Sequence, residues 1–387
     1  MRNLALLTAT VAMLAACGQP TSPTVVHFNT PSSDASASPS ASATAGPATS
    51  PTAGPLTGPY GLLLVGGGAA LDLIRADGFV VAQAPVAPPS VKFCSSANDG
   101  AMEPPPVSAS STQVYIRDGD MNIRRVSLSG VTDVTTVPGG PTTVSFFSVS
   151  PDNQRIAVVV EDVSAATTIS LRLYVEDLVG HGHHADIYTT TQPKGKTGTT
   201  LWPMGWHNGA LVLAVVVACT FEPAGLTPVS WHVSNASTAV RIATINASNC
   251  TLSVRPSPAG VGCVNYSSGA TTLYDWAGKI ISVTGPGATG SGFTETSLSP
   301  AGNSIFFATG TGIGAPPAAT EIVQLGPGPY ATVQGHIACG WIDEDHLLAH
   351  DAVIQFPAET AGNVRVSAKV SSIVNSGFCA GRFPGGL

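Results

Sequence analysis

Ser148-Val149-Ser150-Pro151-Asp152-Asn153-Gln154-Arg155-Ile156-Ala157-Val158 reads as a strand ending in Ser-x-Ser-Pro, a tight turn, and a second strand of large apolar residues. Ser297-Leu298-Ser299-Pro300-Ala301-Gly302-Asn303-Ser304-Ile305-Phe306-Phe307 repeats it. Proline suits such a turn because its φ is fixed, and Asp, Asn and Gly tolerate the unusual dihedrals that follow. Looser copies stand at Gly205 to Leu213, Val254 to Val264 and Gly340 to Leu348, two of them carrying a tryptophan (Trp206 and Trp341) at the matching position.

Each copy is followed by a second hairpin: Leu173 to Tyr188, Ser230 to Ile245, Leu273 to Ile281 and Glu321 to Val333. Upstream, Leu71 to Val81, with Asp77-Gly78 as a favoured two-residue turn, and Val114 to Val137 fit the same second-hairpin pattern. Four strands recurring at roughly 40 to 57 residues describe a propeller blade. Starts near Tyr60, Cys94, Pro141, Leu201, Asn249, Gly292 and His336 give an all-β propeller of seven four-stranded blades, with six or eight as the alternatives. A two-sheet sandwich would leave the repeated Ser-Pro turn unexplained. Continuous apolar runs such as Ile156 to Val160 and Leu211 to Cys219 are expected for strands buried on both faces. Ring closure is expected from Val364 to Val374 settling against blade seven or blade one.

These repeats resemble the Ser-Pro-Asp-Gly blades of TolB-like and WD40-like β-propellers, over roughly residues 60–387. The resemblance is specific at Ser150-Pro151 and Ser299-Pro300. Asn153 and Ala301 depart from the usual Asp-Gly.

Charged residues make up only 10% of the 387, with 42 Gly and 31 Pro, as many short strands and turns require. A net charge of −7 with no basic patch argues against nucleic acid and against electrostatic attachment to anionic lipid. The chain begins Met1-Arg2-Asn3, then an apolar run from Leu4 to Ala16, then Cys17. That run is about 13 residues, the length of a signal peptide and short of the ~20 that span a bilayer. Leu14-Ala15-Ala16-Cys17 resembles the bacterial lipobox, which implies cleavage before Cys17 and lipidation of its sulfur. Two or three acyl chains, at about 0.8 kcal/mol per buried CH₂, anchor stably. Residues 1–16 are therefore expected to be a signal peptide. Residues 17–59, Ser/Thr/Ala/Pro-rich, are expected to be a disordered stalk reaching about 35 Å from the lipid. The expected location is the extracytoplasmic face of a cell membrane, at the cell surface or in the periplasm.

Beyond Cys17 six cysteines remain: Cys94, Cys219, Cys250, Cys263, Cys339 and Cys379. In an exported protein they are disulfide candidates. Cys339 with Cys379 would clamp the ring closure, one bridge is expected among Cys219, Cys250 and Cys263, and Cys94 would take whichever of these is left.

His181-Gly182-His183-His184 is the densest ligand-like cluster, expected to be solvated turn histidines, with a weak metal site as the alternative. Asp343-Glu344-Asp345-His346 lacks the spacing of a Ca²⁺ loop and reads as a solvated turn. Gly66-Gly67-Gly68 lacks the helix and acidic residue of a dinucleotide site. No Gly-x-Ser-x-Gly or His-Glu-x-x-His occurs. Trp206 and Trp341 are expected to pack between blades, whereas Trp202 and Trp231 are weak candidates for lining a ligand pocket.

The reading is thus a lipid-anchored propeller, without cofactor, serving as a binding or scaffold module for a protein or carbohydrate partner. The alternative is a hydrolase or lyase acting on a carbohydrate or lactone at the central channel. Convergent carboxylates or histidines with a bound metal at the channel mouth would favour the enzyme, and an apolar or neutral mouth would favour binding.

Overall fold

The computed structural model describes residues 56–65, 68–90, 92–94, 101–102, 106–194, 198–218, 228–253, 255–265, 267–284, 293–309, 319–325, 330–356, 365–369, 379–383 and 386–387. Cys17, Cys219, the expected signal peptide (1–16) and nearly all of the expected stalk (17–59) lie outside them. The described strands form seven antiparallel four-stranded sheets and one two-stranded pair. In blades two to seven the strands follow in chain order, the first lining the channel and the fourth lying outermost. Those first strands are Val107–Ala109, Thr143–Val149, Thr199–His207, Thr251–Leu252, Phe293–Leu298 and Ala338–Trp341.

Blade one is assembled from both ends of the ring. Tyr60–Val65, Ala70–Ile74 and Val80–Pro85 supply its outer three strands, and Cys379–Arg382 pairs with Tyr60–Val65 as the innermost. The closing segment is therefore Cys379–Arg382 and not Val364 to Val374, where Arg365–Lys369 instead forms the outer strand of blade seven. Blade two also departs from expectation. It begins at Val107, after the small pair Lys92–Phe93 and Ala101–Met102, and Val114 to Val137 holds three strands where one hairpin was expected.

The repeated turn owes its shape to a serine hydroxyl and one left-handed residue. Ser150 Oγ accepts the Arg155 N–H at 2.9 Å, and Ser299 Oγ accepts the N–H groups of Asn303 and Ser304 at 3.1 and 3.0 Å. Asn153 (φ 61°) and Gly302 (φ 78°) take the left-handed position, where Asn and Gly carry the least penalty. Asn153 thus stands in the place of the pattern's Gly, and Ala301 in the place of its Asp.

These turns also bind their neighbours. Ser257 Oγ donates to Ser299 O at 2.8 Å, and Tyr115 Oη donates to Asn153 Oδ1 at 2.9 Å. Glu344 accepts Ser299 Oγ at 2.8 Å and the Ala301 N–H at 2.7 Å, so the acidic turn at 343–346 grips blade six and is not simply solvated. Burial opposes ionisation of Asp343, but the hydrogen bond with the His346 side chain, the backbone N–H groups of Asp345 and His346 and the His346 charge together prevail and hold its carboxyl below the usual range.

Trp206 and Trp341 pack between blades. Trp206 Nε1 donates to Ser148 O of blade three at 3.3 Å, and Trp341 Nε1 to Ser297 O of blade six at 3.1 Å. Strands such as Arg155–Asp162 and Ala210–Val217 are buried on both faces, because sheets cover them from either side.

Cys339 on the inner strand of blade seven is bonded to Cys379 on the closing strand, so a covalent link crosses the seam. Cys250 is bonded to Cys263 within blade five, and Cys94 is also disulfide-bonded. At the seam a Cβ on Gly381 would fall 2.0 Å from Trp341 O and 2.5 Å from the Phe383 ring. Gly381→Ala is therefore expected to lower unfolding free energy by about 3 kcal/mol, as overpacking does. A denaturant midpoint unchanged from the parent would show that the blades do not meet there.

Candidate binding site at the channel mouth

The first strands converge on a central channel, and the end bearing the Ser-Pro turns is well described. Its walls come from Val107 to Ala109, Val149 and Pro151, Pro203 to Trp206, Arg255 and Pro256, Ser297, and Gly340 to Trp341. The closing strand adds Ala380 and Gly381, and the segment beyond adds Phe383, Gly386 and Leu387. Among the described lining residues Arg255 has the only charged side chain and no side-chain carboxylate contributes, while one imidazole, His207, stands just behind the wall with Nδ1 2.8 Å from Leu387 O.

Local sequence explains this lining. In blade four Pro203 cannot donate to the ladder, and the register slips between Pro203 and Gly205, leaving Met204 as the extra residue of a bulge beside the channel. The inward-facing hydroxyls are already engaged: Ser108 Oγ accepts the Val149 N–H at 2.9 Å, and Ser297 Oγ donates to Arg255 O at 3.4 Å. The mouth is thus mostly apolar wall, with the Arg255 guanidinium part of it.

The histidine cluster sits elsewhere, in the outer turn of blade three between Thr168–Asp177 and Ala185–Pro193. His181 and His184 each present Nδ1 to one oxygen of the buried Glu176 at 2.7 Å, and His183 presents Nδ1 to Asp177 at 2.8 Å. His181 Nε2 lies 3.3 Å from Thr135 Oγ1 of blade two. The cluster is a set of imidazole–carboxylate pairs bracing a turn, and among the described residues no group of three His, Cys, Asp or Glu is arranged to hold a metal ion.

Trp202 and Trp231 do not line the mouth. Trp231 is fully buried, edge-on to Trp276 with ring centroids 5.6 Å apart, and half-buried Trp202 lies 5.8 Å from Phe146. Both pack against core clusters within the ring, Trp202 partly buried and Trp231 fully. Strongly perturbed acids and bases are likewise inside the blades: burial pushes Glu161 up to about 7 and His232 down to about 4, and neither lines the mouth. Asn235 and Asn265 close turns, their side-chain oxygens accepting N–H groups from Ser237 and Thr238 and from Ser267 and Ser268. Gly205, Met204 and Leu387, which shape the mouth, were not singled out for it in the sequence, because they read there as ordinary strand or tail residues.

No known protein family's sequence model matches the chain, and no curated protein matches it. Among solved structures it is similar to a protein from Lactobacillus plantarum, with 12% identity over 84% of this chain and 98% of that one, at a TM-score of 0.44. A protein of unknown function from Bacteroides caccae matches with 8% identity over 69% and 90%, at 0.40. Oligogalacturonate lyase from Vibrio parahaemolyticus matches with 10% identity over 63% and 70%, at 0.39. Similarities this distant concern the shape of the chain alone.

Proposed function

We propose that this chain is a membrane-anchored, extracytoplasmic β-propeller lipoprotein that binds a partner at its channel mouth and does not turn over a substrate there. The observation that carries the binding reading is the lining: mostly apolar wall with one guanidinium, and no pair of side-chain carboxylates or imidazoles of the kind general acid–base chemistry needs among the described lining residues. A rigid ring whose inner rim is apolar suits a recognition surface for a protein or carbohydrate partner. The anchor rests on the lipobox-like Leu14 to Cys17 and the polar stalk after it.

Two measurements on the full chain test this. Cys17→Ser is expected to move the protein from the membrane fraction to the soluble one, and retention on the membrane would remove the anchor. A photo-crosslinker replacing Pro256 at the mouth is expected to capture a partner in cell envelopes, and one replacing exposed Val179 on the outer turn is not. Capture from position 179 alone would contradict binding at the mouth. So would release of shortened sugar fragments from a polysaccharide by the purified chain.

A further inference from the structure

Part of this chain already lies in the mouth. After the closing strand Cys379–Arg382, Phe383 packs against the core cluster that holds Trp341 and Phe306. Gly386 and Leu387 lie against blade four (residues 384–385 are outside the described set). The Leu387 N–H donates to Trp206 O at 3.0 Å, and His207 Nδ1 lies 2.8 Å from Leu387 O. Asn208 Nδ2 sits 2.9 Å from His207 Nε2. An amide that donates to Nε2 leaves the proton on Nδ1, so His207 is set as a donor toward Leu387.

The Leu387 side chain occupies a slot that exists because residue 205 is glycine. A Cβ there would fall 2.2 Å from Leu387 Cδ1. The slot opens onto the apolar cluster containing Trp231, Trp276 and Val212, against which Leu387 packs. Gly386 is equally constrained. Its φ is 83°, and a Cβ would lie 2.9 Å from Pro151 Cγ and 3.2 Å from Trp206 O.

We propose that this corner of blade four is a peptide-recognition subsite, that Gly386-Leu387 is its occupant in cis, and that a partner's extended segment carrying a small residue followed by a branched aliphatic one takes the same place. This rests on the reading of the mouth as the recognition surface and names the partner as protein. The chemistry favours peptide over sugar. One main-chain carbonyl and one imidazole N–H match the donor and acceptor of a single residue, and the slot accepts an aliphatic side chain. A sugar would call for several free polar side chains or an open aromatic face, whereas in the described corner His207 and Asn208 are bonded to each other and Trp206 is buried. Because the cis segment is tethered nearby, it competes at high effective concentration and keeps the subsite closed to weak ligands.

The probe is a fluorescent peptide, Phe-Pro-Gly-Gly-Leu, titrated into the full-length protein by anisotropy. Wild type is expected to bind it at least tenfold more weakly than Leu387→Asp, whose side chain cannot enter an apolar slot and so releases the cis segment. Adding Gly205→Val to Leu387→Asp fills the slot and is expected to abolish binding. If that variant does not fold, adding His207→Phe to Leu387→Asp, which removes only the donor, is expected to weaken binding at least fivefold. Equal affinity in wild type and Leu387→Asp, or undiminished binding in both double variants, would overturn the subsite. If the peptide fails while the crosslink from position 256 persists, the mouth stands as a recognition surface and the peptide subsite is refuted. Loss of both refutes the mouth itself.

Discussion

Replacing Cys339 and Cys379 together by alanine is expected to lower the unfolding free energy by about 4 kcal/mol, read as a shift in urea midpoint. Both cysteines are buried, and their bridge closes a loop with a sequence separation of 40, which chain-entropy arguments value at about 4 kcal/mol. The Cys250–Cys263 bridge, with a separation of 13, is worth about 3 kcal/mol on the same scale. The seam variant carries a second consequence that the blade-five variant lacks. Cys379–Arg382 is held to blade one by a short ladder only, so loss of the bridge frees both the seam and the segment lying in the mouth. Amide hydrogen exchange in Tyr60–Val65 is expected to quicken in the seam variant and not in the other. Equal effects at both sites would mean that the seam bears no special load.

The second large effect concerns pH. Glu161 lies fully buried between blades three and four, where Thr200 Oγ1 donates to its Oε2 at 2.7 Å, while Oε1 has no hydrogen-bond partner among the described residues. Burial raises its pKa from the ordinary 4.5 to about 7, with the Thr200 bond opposing in part. The folded state therefore keeps a proton that the unfolded chain gives up near 4.5. Stability from this residue is full below about 4.5 and is lost as pH rises through about 7. At roughly 1.4 kcal/mol per tenfold, the loss by pH 8 comes to about 3 kcal/mol. Glu161→Gln is expected to remove that slope between pH 5 and pH 8, whatever its stability at either end. Parallel pH profiles for the two proteins would show that Glu161 is ionised in the fold.

Much of the ring was legible because its punctuation is local. Ser150-Pro151 and Ser299-Pro300 announce a strand end, a turn and a new strand within a dozen residues, and the hairpins at 173–188, 230–245, 273–281 and 321–333 all form. Trp206 and Trp341 recur at one place in the repeat because each meets the carbonyl of the preceding blade there. The closing strand was not legible. Cys379-Ala380-Gly381-Arg382 is too short for a periodicity to show, and its partner Tyr60–Val65 lies more than 300 residues away in the sequence, so the pairing has no local signal. Blade two was misplaced for a similar reason: Val107–Ala109 is only three residues long, and the Lys92–Phe93 pair ahead of it mimics a blade start.

The mouth was hidden for a different reason. Its residues look like core in sequence, and only closure of the ring decides which apolar side chains line a channel. Trp231 shows the converse. An aromatic on a strand reads equally well as ligand platform or packing, and the Trp276 ring beside it, brought there from blade five, makes it packing. In the histidine turn, the bulge between Leu173 and Tyr174 sets which carboxylates the imidazoles reach, and no residue type in the stretch announces that shift.

The position of the mouth, its apolar lining and the segment lying in it all depend on Cys379–Arg382 completing blade one. Peptide mapping of the unreduced protein by mass spectrometry tests this most directly. The expected result is a linked pair of peptides holding Cys339 and Cys379, with Cys250 and Cys263 joined separately. Cys379 recovered as a free thiol, or joined to any cysteine other than Cys339, would place the closing strand elsewhere and contradict the site built upon it.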